Sequence, residues 1–343
     1  MTVGDCTERE LIARIQHRLL PPPDWLVVGV GDDAAVVEPE RNRLDVLTVD
    51  AVVDGVHFDR AFVPPHAIGH RALAVNLSDL AAMGAAPRLA LLSMMLPAAL
   101  PLADFDGIAD GFAALAGRYR VHVAGGNLTR TPGPLTIDVT AVGTVKRRQA
   151  LTRGGARAGD EIYVSGGIGA AAAGLTRLRE VASQQSAVTS HSLQTGDSRQ
   201  ATDDRRLTAA YLYPEPRLRL GVLLSRNRAA SACMDLSDGL ADAAHQIACA
   251  SGVGMTIDAD ALPVEGDVKA AITAGDDYEL FFTVRPRTRQ RLRTVTSHAG
   301  VPLTRIGVCT ERRDILLARS NGDLEPMPTG YAHFGRPDGL RCR

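Results

Sequence analysis

Five short segments carry carboxylates with no lysine or arginine inside the motif. They are "VGDDAAVV" with Asp32 and Asp33, "TVDAVVDGVHF" with Asp50, Asp54 and His57, "NLSDLA" with Asp79, "MDLSDGLADAAHQ" with Asp235, Asp238, Asp242 and His245, and "AGDDYELFF" with Asp276, Asp277 and Glu279. Asp79 poses the problem most sharply. On a helix its neighbours three and four positions away are Val75, Asn76, Ala82 and Met83, none of them basic. An ionised carboxylate among apolar residues is costly unless something compensates it. Taken singly, each block reads as a turn or a helix cap, where Asp and Ser are favoured. Five such blocks beside apolar runs point instead to a shared partner. Oxygen donors without clustered histidine or cysteine suit Mg2+ and not zinc. Because magnesium shares its ligands with substrate phosphates, phosphoryl transfer becomes the leading chemistry.

A phosphate cradle is glycine-rich, and "VAGGNLTRTPGP" offers Gly125, Gly126, Asn127, Thr129 and Arg130 after an apolar run. Arg153 in "LTRGG" is a second cation suited to a polyphosphate; the plain alternative for both arginines is an exposed loop charge. No G-x-x-x-x-G-K-[ST] run and no protein-kinase signature set is present. Gly167-x-Gly169-x-x-Ala172 loosely matches a dinucleotide fingerprint, but no acidic residue ends a second strand some twenty positions on, so close helix–strand packing is expected there. His245 reads as an ordinary helix histidine, and no G-x-S-x-G elbow exists.

The elements that must position these residues follow from periodicity. An amphipathic helix is expected over Glu8–Leu20, stopped by "PPPDW". Apolar runs at Trp25–Val30 and Leu44–Val49 each deliver the chain into acids. A helix from Ala67 to Met83 ends at Gly84, a C′ position. "RLALLSMMLP" reads as a buried strand closed by proline, and Ala103–Tyr119 as a helix. "PLTIDVTAVGTV" alternates, with Leu135, Ile137, Val139 and Ala141 facing one way. The basic, glycine-rich stretch after Lys146 marks a junction near residue 150, followed by a strand at Glu161–Ser165 and a small-residue helix. Residues 182–206 are polar and nearly free of large apolar side chains, which predicts a mobile surface loop. The remainder alternates helix and strand.

At 343 residues two domains are the natural expectation, taken as 1–150 and 151–343. The net charge of −1 gives no footprint for nucleic acid or an anionic membrane. No run of 18 apolar residues appears, and "MTVGDCTERELIARIQ" lacks the layout of a secretory signal. Five scattered cysteines without a C-x-x-C pair argue for reduced thiols and a cytoplasmic protein.

In order along the chain, "VGDDAAVV", "TVDAVVDGVHF", "ALAVNLSDLAAMGAAPRLALLSMMLP", "GGNLTR", "LTRGGARAGDEIYVSG", "MDLSDGLAD", "GDDYELFFTV" and "GYAHF" resemble thiamine-monophosphate kinase. That family sits in a superfamily with aminoimidazole ribonucleotide synthetase, selenophosphate synthetase and the hydrogenase-maturation dehydratase. The resemblance implies an α+β fold of two domains: an N-terminal sheet domain that pairs in a homodimer, and a C-terminal α/β domain, with an ATP site between them. It implies transfer of the ATP γ-phosphate to thiamine monophosphate, helped by Mg2+, with no covalent intermediate and no general base. By motif, Asp33, Thr48, Asp50, Asp79, Asn127, Asp235 and Asp238 fall on metal-ligand positions. Gly126, Asn127, Arg153 and Ser237 fall on ATP-contacting positions, and His57, Asp276 and Tyr331 on positions that contact the thiamine phosphate.

Three departures stand out. Val49 replaces a hydroxyl residue, Asn127 replaces an aspartate and so offers a neutral oxygen, and Asp276 replaces a glutamate one methylene longer. Alternatives are another ATP-dependent member of the superfamily with a different acceptor, a non-catalytic ATP-binding homologue, and an oxidoreductase using Gly167–Ala172. Cys6 lacks the glycine- and lysine-rich surroundings of a selenophosphate synthetase, and Cys342 in "LRCR" reads as a frayed tail.

Overall fold

In the N-terminal half a four-stranded mixed sheet is covered on one face by two long helices, in a computed structural model that describes residues 1–187 and 198–331. Two compact units emerge, Met1–Leu80 with Ala86–Arg147, and Ala81–Ala85 with Arg148–Arg343.

The first unit opens with α1 (Glu8–Gln16), started by a reciprocal cap between Thr7 and Glu10. The helix ends earlier than the expected Leu20, in a turn that leads to the three prolines. A hairpin of β1 (Leu26–Val28) and β2 (Val36–Val37) precedes β3 (Arg43–Val53). Then come α2 (Pro65–Ala82), β4 (Ala86–Pro97), α3 (Leu102–Tyr119), β5 (His122–Thr131) and β6 (Thr136–Lys146). The sheet order is β3-β6-β4-β5, antiparallel except for β4–β5. The alternation expected in β6 holds: Leu135, Ile137, Val139 and Ala141 are all buried. Helices α2 and α3 approach so closely that a Cβ on Gly111 would lie 1.9 Å from the His66 carbonyl oxygen. On the other sheet face Trp25 and Leu26 pack with Leu89, Ala124 and Val142. Beyond that hairpin, Leu47, Val49 and Leu91 remain 68%, 59% and 39% exposed, apolar positions open to solvent in this chain.

The second unit contains β7 (Glu161–Ser165), α4 (Ala170–Ala187), α5 (Ser198–Leu212), α6 (Leu218–Asn227), β8 (Ala232–Asp235), α7 (Leu240–Ser251), β9 (Gly254–Asp258), α8 (Val268–Thr273), β10 (Leu280–Val284), α9 (Arg289–Ala299), β11 (Leu303–Thr310), β12 (Ile315–Ala318) and β13 (Leu324–Pro326). Its seven strands run in the order β13-β12-β9-β11-β7-β10-β8, with β9–β12 the parallel pair. The core gathers Ile162, Val164, Met234, Ile247, Met255 and Phe281.

Segment 182–206 departs from the loop expectation. Both flanks are helical, α4 reaching Ala187 and α5 beginning at Ser198, while 188–197 lie outside the described residues. The two helices pack together, and Arg177 bridges to Asp204 at 2.9 Å. Polar composition suits the outer side of a packed helix pair as well as a loop, so composition alone does not separate the two.

Cys6, Cys233 and Cys309 are free, but Cys249 is disulfide-bonded, contrary to the expectation of reduced thiols throughout. An odd total of cysteines does not exclude one pair. Cys342 lies outside the described residues. No helix among the described residues is long and apolar enough to cross a membrane.

Candidate functional site

In the N-terminal unit the structure answers for Asp79 first. Its neighbours within α2 offer no counter-charge, yet the Thr48 hydroxyl on β3 donates to the Asp79 carboxylate. Alternation along β3 puts Asp50 on the same side as Thr48. Asn76 does not reach the Asp79 carboxylate, as the shared helical face would suggest. Its amide donates to the Ala72 carbonyl at 3.1 Å and more weakly to the Asp50 carbonyl at 3.5 Å. That leaves the Asn76 Oδ1, fully buried, without a partner among the described residues. Thr48, Asp50 and Asp79 therefore share one helix–strand seam.

Asp33, Gly126 and Asn127 come together elsewhere in this unit. They line a cavity of about 770 Å3 with Asp32, Gly125 and α1 residues from Glu8 to Gln16. The sheet register explains why Asn127 stands apart from Asp50. Asn127 is in the row of Ser93, Asp138 and Ala51, one residue out of phase with the row holding Asp50, Val139 and Leu92. Gly126 has a steric reason independent of any phosphate: a Cβ there would lie 1.8 Å from the Leu92 carbonyl oxygen. His57 sits in the turn after β3, where its Nδ1 accepts from the Val53 amide at 3.1 Å. Arg130 is exposed, in keeping with its plain alternative.

In the C-terminal unit five of the expected residues converge. Beyond the β8–β10 pairing the two chains continue side by side. Leu236 N donates to Glu279 O, Tyr278 N to Leu236 O, and Asp276 N to Ser237 O, at 2.8, 3.1 and 2.8 Å. Tyr331 joins through its amide to Asp238 O at 3.4 Å. Asp235, Ser237, Asp238, Asp276 and Tyr331 thus occupy one loop cluster at the end of β8. Asp238 precedes α7, which begins only at Leu240, so it does not share a helical face with Asp242 and His245. His245 is the ordinary helix histidine expected, its Nδ1 at 2.7 Å from the Ala241 carbonyl.

Asp276 and Tyr278 both hold left-handed backbone, with φ of 72° and 52°. Non-glycine residues in that region cost on the order of 1 kcal/mol and cluster at functional loops. The Tyr278 hydroxyl donates to Asp276 Oδ1 at 3.0 Å, which fixes the direction of the shorter acid. Exposed Arg153 donates to Gln246, which in turn donates to Asp242 at 2.6 Å, so this cation is tied to α7.

Two acids of the last block do structural work whose partners the sequence did not reveal. Asp277 accepts from the amides of Gly169 at 2.7 Å and Ala171 at 3.2 Å, fastening the start of α4. Burial nevertheless pushes its carboxyl up to about 7. The glycine fingerprint at Gly167–Ala172 is therefore a packing and capping device, with Gly169 at φ 90°. Glu279 is buried and receives both arms of the Arg217 guanidinium, one at 2.7 Å, together with the Ser165 hydroxyl. Burial outweighs those partners and holds its carboxyl above the usual range. No local sequence signal joins Glu279 to an arginine 62 residues upstream.

Among the described residues, no three His, Cys, Asp or Glu side chains form a group that could hold a metal ion by themselves. The donors present in each unit are oxygens of carboxylate, hydroxyl and amide. That chemistry fits magnesium, which completes its shell with water and phosphate.

Comparison with known proteins covers both units. Residues 31–145 match the family model "AIR synthase related protein, N-terminal domain" and residues 157–317 match "AIR synthase related protein, C-terminal domain". The chain is 37% identical over 344 residues to thiamine-monophosphate kinase of Escherichia coli (strain K12), spanning 97% of this chain and 99% of that one. It resembles the crystal structure of thiamine-monophosphate kinase from Stenotrophomonas maltophilia K279a with a TM-score of 0.77 and 39% identity, covering 91% of this chain and 96% of that one. It also resembles a structure described as AaThiL complexed with AMPPCP and TMP, with a TM-score of 0.72 and 29% identity, over 97% of this chain and 99% of that one.

Proposed function

Because the chain belongs to the AIR synthase-related family, and within it to the thiamine-monophosphate kinases, we infer how its residues divide the work of phosphorylating thiamine monophosphate with ATP. The observation that carries the activity is the nearly full-length match to such kinases, one of them solved with AMPPCP and TMP. The reaction yields thiamine diphosphate and ADP. The acceptor's own phosphate oxygen is the nucleophile, so the protein supplies position and charge compensation, with no covalent residue.

In the N-terminal unit, the cavity lined by Asp33, Gly126 and Asn127 takes the nucleotide. Thr48, Asp50 and Asp79 offer oxygen donors along their seam, and Asp33 adds a carboxylate at the cavity. The Thr48 hydroxyl orients the Asp79 carboxylate, and Asn76, anchored on Ala72 and Asp50, fixes α2 against β3. Asn127 is assigned a nucleotide contact before a metal contact, since its register separates it from Asp50. His57 is assigned a thiamine-phosphate contact.

In the C-terminal unit Asp235 and Asp238 are assigned as further metal ligands, Ser237 and Arg153 as nucleotide contacts, and Asp276 and Tyr331 as thiamine-phosphate contacts. Mg2+ held by these carboxylates would neutralise charge on the transferred phosphoryl group. The exposed face bearing Leu47, Val49 and Leu91 is assigned to homodimer formation. A cytoplasmic location fits an enzyme whose co-substrate is ATP.

The test is direct: incubate the protein with ATP, Mg2+ and thiamine monophosphate and separate the products. Thiamine diphosphate with equimolar ADP is expected. ATP binding without that product would overturn the kinase reading.

A further inference from the structure

The C-terminal unit carries a second polar cavity lined by none of the residues assigned to the kinase reaction. It measures about 460 Å3, and its wall includes Arg148, Arg228, Arg285, Arg287 and Arg291. These arrive from separate places in the chain: Arg148 after β6, Arg228 at the cap of α6, and the other three around the end of β10 and the start of α9. No described aspartate or glutamate lines the cavity.

Like charges gathered this way repel one another unless something answers them. On the same unit, Arg289 and Arg305 are answered by Glu161. The five cavity arginines have no such acid among the described residues. Their own bonds are weak and go to carbonyls: Arg285 Nη2 to Gly155 O at 3.4 Å, and Arg291 Nη1 to Arg228 O at 3.3 Å. Arg285 Nε is buried with no hydrogen-bond partner among the described residues. A buried, unpaired guanidinium N–H costs free energy that a bound acceptor would recover.

The wall around them is fixed. Ser225 Oγ donates to Gln149 O at 2.8 Å and Thr288 Oγ1 to Ala229 O at 3.2 Å. Ser231 Oγ donates at 2.7 Å to Asp160, an acid behind the wall. The free donors facing the cavity are therefore guanidinium forks, whose planar geometry matches phosphate. Its volume falls within the range of small-molecule pockets. A nucleic acid is disfavoured, because no aromatic side chain is present to stack bases and the net charge of the chain is −1.

We propose that this cavity binds a small molecule through a diphosphate or triphosphate group, gripped by Arg285, Arg287 and Arg291 beside Arg148 and Arg228. The test is calorimetric titration of the full-length protein with inorganic pyrophosphate in EDTA, which suppresses any phosphate site that needs a divalent cation. Wild type is expected to bind. The double variant Arg287→Ala/Arg291→Ala, in exposed positions, should bind at least about tenfold more weakly. Arg285→Gln should weaken binding too, while Asp79→Asn should bind as wild type does. Thermal melting of each variant separates lost binding from lost folding. Parallel titrations with ATP and with thiamine diphosphate tell a nucleotide from a product-like ligand; arginine-dependent binding of either supports the site. The proposal is overturned if pyrophosphate fails to bind wild type, or binds the double variant equally. Arginine-dependent binding of single-stranded RNA alone would overturn it in favour of a nucleic-acid surface.

Discussion

Replacing Arg217 by methionine should damage the protein more at pH 8 than at pH 5, and the structure sets the size. The Arg217 and Glu279 side chains are 25% and 5% exposed, so this pair is largely sealed from solvent. Removing one partner of a buried ion pair costs about 3–5 kcal/mol, because the remaining charge is left uncompensated. Glu279 would keep only the Ser165 hydroxyl. For a unit of this size each kcal/mol lowers the melting temperature by about 2–4 °C, which predicts a loss of about 6–20 °C at pH 8. The sign of the pH effect follows from the raised carboxyl of Glu279. A raised acid contributes fully at low pH and loses that contribution as pH rises through its folded value. Without the guanidinium the value moves higher still, so lowering the pH favours the uncharged carboxyl and narrows the deficit. Arg217→Met/Glu279→Gln should lie above the single Arg217 variant, since it leaves no buried charge. Scanning calorimetry of the three proteins at both pH values makes the measurement. An Arg217→Met protein melting within about 2 °C of wild type at pH 8, or an equal deficit at pH 5, would refute the reasoning. Because β10 begins beside Glu279, a rise in KM for thiamine monophosphate should accompany the loosened Asp276 loop.

Three further outcomes are expected. Asp79→Asn keeps an acceptor for the Thr48 hydroxyl but removes the charge; turnover should be abolished with melting unchanged, and a near-normal rate would exclude the metal role. Asp277, raised to about 7 by burial, lowers stability as pH climbs from its ordinary value of 3.8 toward neutrality. Melting curves at pH 5 and 8 should therefore show a shallower pH dependence in Asp277→Asn, and an unchanged slope would refute the assignment. Val49→Glu places a charge on the exposed sheet face, so sedimentation should give a dimer for wild type and a monomer for the variant; a monomeric wild type would overturn the assembly proposal.

Local pattern carried much of this fold. The two-residue period of Ile137, Val139 and Ala141 identified a half-buried strand and its inner face, and the strand Glu161–Ser165 has the expected bounds. The acidic blocks were visible as a set because each lacked a cation nearby in sequence. What each block does depended on distant partners. Glu279 found Arg217, Asp277 found the amides of α4, and Asp79 found Thr48. Composition alone could not tell the solvated faces of α4 and α5 from a loop, because their packing partners are each other. Nor could motif position show that Asn127 and Asp50 are out of phase. That is a property of register across four strands, set by pairings that no single segment contains.

The alternation of β3 carries a further consequence. Thr48 and Asp50 point toward α2, and Leu47 and Val49 point the other way. On the assignments proposed above, one strand would write two messages in alternate letters, one for phosphate chemistry and one for a second subunit. A single-residue insertion ahead of Leu47 would exchange the two faces, pressing valine against the helix and turning aspartate onto the exposed apolar face. If both proposed roles hold, the β3 segment can change letter by letter, while its reading frame belongs to the reaction and the assembly together.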